Sequence, residues 1–66
     1  MNIRLNGKAK EFSDSTDLNT LVEQFCRNKT PVVAELNGKI INNSLWKETP
    51  LKEGDTIELV SFIGGG

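Results

Sequence analysis

Apolar and polar residues alternate from the first position, with Met1, Ile3 and Leu5 on one side and Asn2 and Arg4 on the other. A period of two predicts a half-buried strand over Met1–Leu5. Asn6-Gly7 follows, the strongest two-residue hairpin signal, because both central positions accept positive φ. The return over Lys8–Phe12 has only Ala9 and Phe12 as apolar positions and reads as a short edge strand, whose lysines discourage edge-to-edge pairing. After the turn chemistry of Ser13-Asp14-Ser15-Thr16 the period changes. Leu18, Leu21, Val22 and Phe25 fall at i, i+3, i+4 and i+7, one stripe of an amphipathic helix. Asp17 is placed to cap its first turn. Arg27 and Lys29 complement the negative end of its dipole. Thr30-Pro31 closes it, since the residue before proline is pushed out of helical geometry. The helix is expected over Leu18–Asn28.

Val32–Leu36 is the next strand, and Asn37-Gly38 repeats the hairpin signal before a brief return over Lys39–Ile41. Asn42–Pro50 is irregular or holds a short helical turn, with Leu45 and Trp46 expected to fold back on the core. Leu51-Lys52-Glu53-Gly54-Asp55 is a surface turn into a final strand, Thr56–Ile63. That strand sets Ile57, Leu59, Ser61 and Ile63 against Glu58, Val60 and Phe62. The order is strand, strand, helix, strand, short strand, strand. One amphipathic helix must then cover one face of a mixed sheet of four to five strands, an α+β arrangement of the ubiquitin-like β-grasp type. The crossover through the helix would be right-handed if the second and third strands run parallel.

The chain's 66 residues make a single small domain, of a size that buries only about 60% of its unfolded surface. Eight basic residues against nine acidic leave a net charge of −1, against the concentrated positive surface that nucleic-acid binding needs. Apolar runs stay far short of the ~20 residues of a membrane span. One cysteine makes no internal disulfide. A cytoplasmic protein, monomeric when free, is expected.

Catalytic chemistry is missing. With no histidine there is neither the commonest general base nor a zinc site with the single Cys26, which reads as a small, partly buried hydrophobe. Glu48, Glu53, Asp55 and Glu58 alternate with Lys47 and Lys52 as a solvated surface. No metal or cofactor is expected. What stands out is the end of the chain, where the strand runs into Gly64-Gly65-Gly66. Three glycines offer no packing surface and are costly to order. They suit a thin tail, reaching roughly 10 Å from the domain and able to thread a channel too narrow for side chains. The expected organisation is a domain over residues 1–63 and a flexible tail over 64–66.

Leu36-Asn37-Gly38 with Ile40-Ile41, Trp46, Pro50-Leu51-Lys52-Glu53-Gly54-Asp55, Ile57-Glu58-Leu59-Val60 and the closing Phe62-Ile63-Gly64-Gly65-Gly66 together resemble the ThiS family of sulfur carriers in thiamine biosynthesis. Asp17 stands where that family usually has threonine, and it caps equally well. The resemblance implies that the carboxylate of Gly66 is the working group, Gly65 the second member of the diglycine and Gly64 its extension. It also implies an ATP-using adenylating enzyme (ThiF-type), a cysteine desulfurase relay and thiazole synthase (ThiG) as partners. Val60, Phe62 and Ile63 are expected to meet those partners, Val60 and Phe62 from the sheet face that no helix covers. Three other readings remain: a MoaD-like carrier, usually longer and with proline before its terminal segment; a ubiquitin-like modifier of lysines; and a noncovalent β-grasp module whose glycines are incidental.

Overall fold

The computed structural model describes residues 1–26 and 31–61. Strands β1 (Asn2–Leu5) and β2 (Lys8–Glu11) form a hairpin, helix α1 spans Leu18–Phe25, and β3 (Val32–Leu36) and β4 (Lys39–Ile41) form a second hairpin. A 3-10 helix covers Asn43–Glu48 and leads to β5, Thr56–Ser61. Both Asn-Gly turns have the predicted conformation, with φ of 51° and 83° at Asn6-Gly7 and 52° and 84° at Asn37-Gly38. Positive φ at both central positions makes them type I′, whose twist matches that of the flanking strands.

The five strands lie in the order β2-β1-β5-β3-β4, so the last strand in sequence is the middle strand in space. It runs parallel to β1 and antiparallel to β3. β2 and β3 therefore run in the same direction, with β1 and β5 between them. This mixed sheet with one α-helix on one face is the β-grasp fold.

The helix-facing side of the sheet supplies Ile3, Leu5, Ala34, Ile57 and Leu59 to the core, and α1 supplies Leu18, Leu21 and Val22, with Leu51 closing one end. Leu18, Leu21 and Ile57 are wholly inaccessible. Burying each such side chain contributes about 1.5–3 kcal/mol. α1 starts where expected: Asp17 Oδ1 accepts the Thr20 N–H at 2.7 Å. That bond to the anionic form holds the Asp17 carboxyl below its usual value. The start of α1 is tied to the later chain by Leu18 N–H donating to Thr49 C=O (2.9 Å) and Leu51 N–H to Thr16 C=O (3.2 Å).

Two expectations need correcting. α1 stops at Phe25, three residues short of Asn28, with Cys26 as an extended C-cap whose N–H still donates to Val22 C=O (2.8 Å). Phe25, the last position of the apolar stripe, is 44% exposed, because Val22 is the last stripe residue to reach the core beneath. Arg27, Asn28, Lys29 and Thr30, placed at the helix end by the sequence, lie outside the described residues. Leu45 and Trp46 do not both fold inward. At three residues per turn, adjacent positions in a 3-10 helix point about a third of a turn apart. Trp46 packs against the core and its indole N–H donates to Ile41 C=O (3.0 Å), while Leu45 is left 50% exposed.

Candidate functional site

The functional residues singled out by sequence gather on β5 and beyond it. Of these, Val60 is within the described structure, and Phe62, Ile63, Gly64, Gly65 and Gly66 lie outside the described residues. β5 alternates as predicted, with Ile57 and Leu59 buried against α1 and Glu58 and Val60 on the opposite face, which no described helix covers. Val60 is 52% exposed. The sheet register surrounds it with apolar neighbours that sequence reasoning did not single out. Val33 of β3 lies directly opposite Val60, and Ile40 of β4, 67% exposed, lies opposite Glu35 and so diagonal to Val33. Grouped apolar side chains on a face of this kind mark partner sites more often than scattered ones do. Beside them Glu35 lies directly opposite Glu58, a like-charge pair that disfavours the free sheet slightly. Period-two alternation held the signal for Val33 and Ile40; the strand order that makes them neighbours of Val60 was not in it.

β5 is held at its base by side chains of both hairpin turns. On one side Asn37 Oδ1 accepts the Thr56 N–H (2.9 Å), Asn37 Nδ2 donates to Asp55 Oδ1 (3.0 Å), and Asn37 N–H donates to Thr56 C=O (2.7 Å). On the other side Asn6 N–H donates to Ile57 C=O (2.9 Å), and Asn6 Oδ1 accepts the half-buried Leu59 N–H (2.8 Å). Asp55 Oδ2 also accepts the Lys52 N–H (2.8 Å), which fixes the turn feeding β5. Two residues chosen for positive φ thus also supply the polar partners of the central strand. Sequence named them as turn formers and no more.

A recess of about 290 Å³ lies elsewhere, between α1 and the 3-10 helix, lined by Val22, Glu23, Cys26, Pro31, Val32 and Trp46 among others. Its described walls are mainly apolar, with Glu23 and Cys26 as the titratable side chains, and it is separate from the open face.

The ThiS family model matches residues 3–66. The chain is 34% identical over 65 residues to the sulfur carrier protein ThiS of Bacillus subtilis, covering 97% of this chain and 98% of that protein. It is 32% identical over all of its 66 residues to a thiazole synthase of Paramagnetospirillum magneticum, of which it spans only 20% of the length. Among solved structures, the crystal structure of the thiamine biosynthesis protein ThiS from Geobacter metallireducens superposes with a TM-score of 0.81 at 30% identity, each chain covered in full. By sequence and fold together, the chain belongs to the ThiS family of sulfur carrier proteins.

Proposed function

We propose that this chain carries sulfur for thiazole formation as a thiocarboxylate on Gly66. The observation that carries the reading is the match to the ThiS family through the last residue, on a chain whose central strand leads directly into the C-terminal segment. The chemistry explains why a small protein without catalytic groups needs enzymes around it. An α-carboxyl group with a pKa of about 3.3–3.7 is an anion at neutral pH and a poor electrophile. A ThiF-type enzyme joins that carboxylate to the α-phosphorus of ATP, and pyrophosphate leaves. The outer sulfur of a persulfide from a cysteine desulfurase relay then attacks the acyl-adenylate, and AMP leaves. A thiol reductant cleaves the resulting acyl disulfide, leaving the thiocarboxylate on Gly66 and a disulfide on the donor side. Thiazole synthase takes the sulfur and returns the carboxylate. The chain's own contribution is binding and presentation: residues 1–63 act as the handle, and Gly64, Gly65 and Gly66 are the part that enters each active site.

The relative of five times this length that is named a thiazole synthase supports a shared pathway, and favours thiamine over a MoaD-like role. The reaction cycle is cytoplasmic and the free carrier a monomer. Docking uses the open face at Val60 and its neighbours Val33 and Ile40, and the Phe62 and Ile63 that follow in the chain also meet the adenylating enzyme and thiazole synthase. Val60 is 52% exposed, so the fold should tolerate its replacement by Ser. Phe62→Ala is combined with it, and the melting midpoint of the double variant is measured as the control for folding. The double variant should bind both enzymes about tenfold or more weakly, as loss of central apolar anchors does. Unchanged titration-calorimetry affinities for both enzymes would show that docking lies elsewhere.

A further inference from the structure

The middle of the sheet contains a seam that is filled on one side only. Along β5 the backbone groups of Thr56, Glu58 and Val60 point towards β3, and those of Ile57, Leu59 and Ser61 point towards β1. Three bonds fix this alternation: Asn37 N–H to Thr56 C=O, Asn6 N–H to Ile57 C=O, and Leu59 N–H to Asn6 Oδ1. β3 accompanies β5 to its end, with Val32 opposite Ser61. β1 does not. Its register with β5 covers Arg4 opposite Thr56 and Leu5 opposite Ile57, after which the Asn6-Gly7 turn sends the chain away into β2. The side chain of Asn6 satisfies the next amide, Leu59 N–H, and the filling stops there. The Leu59 C=O and both backbone groups of Ser61 face the space that β1 has left, and no described residue pairs with them. Ser61 is exposed.

An unpaired row of strand N–H and C=O groups is a template for another strand. Here it is only a few residues long, too short to invite aggregation, and it borders the segment that must be delivered to an active site. We propose that the Leu59–Ser61 edge receives an extended segment of the adenylating enzyme as an added strand. This rests on the carrier reading above and names a contact distinct from the apolar open face. Main-chain pairing supplies affinity without depending on side chains. It also sets direction. The five residues after Ser61 span at most roughly 16–18 Å, so a small error in the angle of the chain at Ser61 displaces Gly66 from the α-phosphorus of ATP. Two hydrogen bonds at Ser61 hold that angle while β3 holds the strand from the other side.

Ser61→Pro tests the proposal. Proline removes the Ser61 N–H, which makes no bond to β3, and its ring intrudes on the seam. Val60 before it is already extended, as a residue preceding proline must be. The internal ladder is therefore intact and the melting midpoint should stay near that of the parent chain. kcat/KM for ATP–pyrophosphate exchange by the ThiF-type enzyme should fall about tenfold or more, the loss of a hydrogen bond together with a steric block. A chemically synthesised chain with an ester in place of the Val60–Ser61 amide deletes the same N–H without a ring. It should fall in the same direction by a smaller factor, and it decides the matter if the proline variant unfolds. Parent-like kcat/KM in the folded ester chain overturns the added strand. If the parent chain supports no exchange with an enzyme active on its own carrier, the carrier reading fails first and the named occupant with it. A parent chain that dimerises through this edge, with the ester chain monomeric, would assign the edge to a second copy and overturn the proposal as well.

Discussion

Asn6 gives the sharpest test of how the fold holds its central strand. Two roles meet in this residue, a left-handed backbone at φ 51° and an oxygen accepting the Leu59 N–H at 2.8 Å. Asn6→Gly keeps the first role and deletes the second. The N–H left behind is half-buried, at the point where β1 has turned away and no other strand can serve it. Losing a bond of this kind costs about 1–2 kcal/mol, with the upper end set by how much water reaches the amide. Glycine adds roughly 0.4–1 kcal/mol through the greater freedom of the unfolded chain. The sum, about 1.5–3 kcal/mol, should lower the melting midpoint by roughly 6–24 °C in a domain of this size. Asn6→Asp retains both an oxygen at the same position and a tolerance for the left-handed region, so it should melt near the parent. Circular dichroism on the three proteins decides the point. If the glycine and aspartate variants melt together, whether near the parent or far below it, the side-chain bond to Leu59 is not what holds this end of β5.

Two further outcomes follow from the core and the helix cap. Leu21 is wholly buried between α1 and the sheet, so Leu21→Ala should cost about 2–5 kcal/mol. A chain of this size holds only roughly 3–10 kcal/mol in total, so urea titration should find the variant close to its unfolding midpoint in buffer; a loss of a few tenths would contradict the core assigned here. The Asp17 carboxyl is held below its usual value by the Thr20 N–H. Its contribution is therefore fully present above the unfolded pKa of about 3.9 and is lost as pH falls below that through the folded value. Asp17→Asn caps without ionising, so the stability difference between parent and variant should shrink as pH falls below about 4; a difference that stays constant as the pH falls would exclude the charged cap.

Much of this fold is legible because its local signals agree. β3 and β4 occupy the stretches that alternation and the second Asn-Gly turn assign, and α1 begins at the cap that Asp17 offers. What escapes the sequence is set by distance along the chain. Periodicity extends the helix through Phe25 because the stripe continues, but only the sheet beneath determines how many of its turns find a core. Leu45 and Trp46 are equally apolar, and the phase of a 3-10 helix alone separates them. Asn6 and Leu59 are 53 residues apart, so nothing local announces that a turn residue completes the central strand. The same holds for the open face: Val60 is readable as outward, whereas Val33 and Ile40 join it only once β5 is placed between β1 and β3. Gly66 is the opposite case, named by sequence and family while the described structure ends at Ser61.

The central claim concerns an atom exchange at that residue, and intact mass spectrometry measures it directly. The chain is incubated with ATP, a ThiF-type enzyme and a sulfur source, and the product is fragmented from its C-terminus. One oxygen should be replaced by one sulfur, localised to Gly66, and a chain lacking Gly66 should show no exchange while folding as the parent does. Oxidation of Met1, Cys26 or Trp46 adds nearly the same mass, so localisation is part of the result. Sulfur on Gly66 that disappears when thiazole synthase and its other substrates are added would establish the carrier cycle; an unmodified Gly66 beside a demonstrably active enzyme would contradict it.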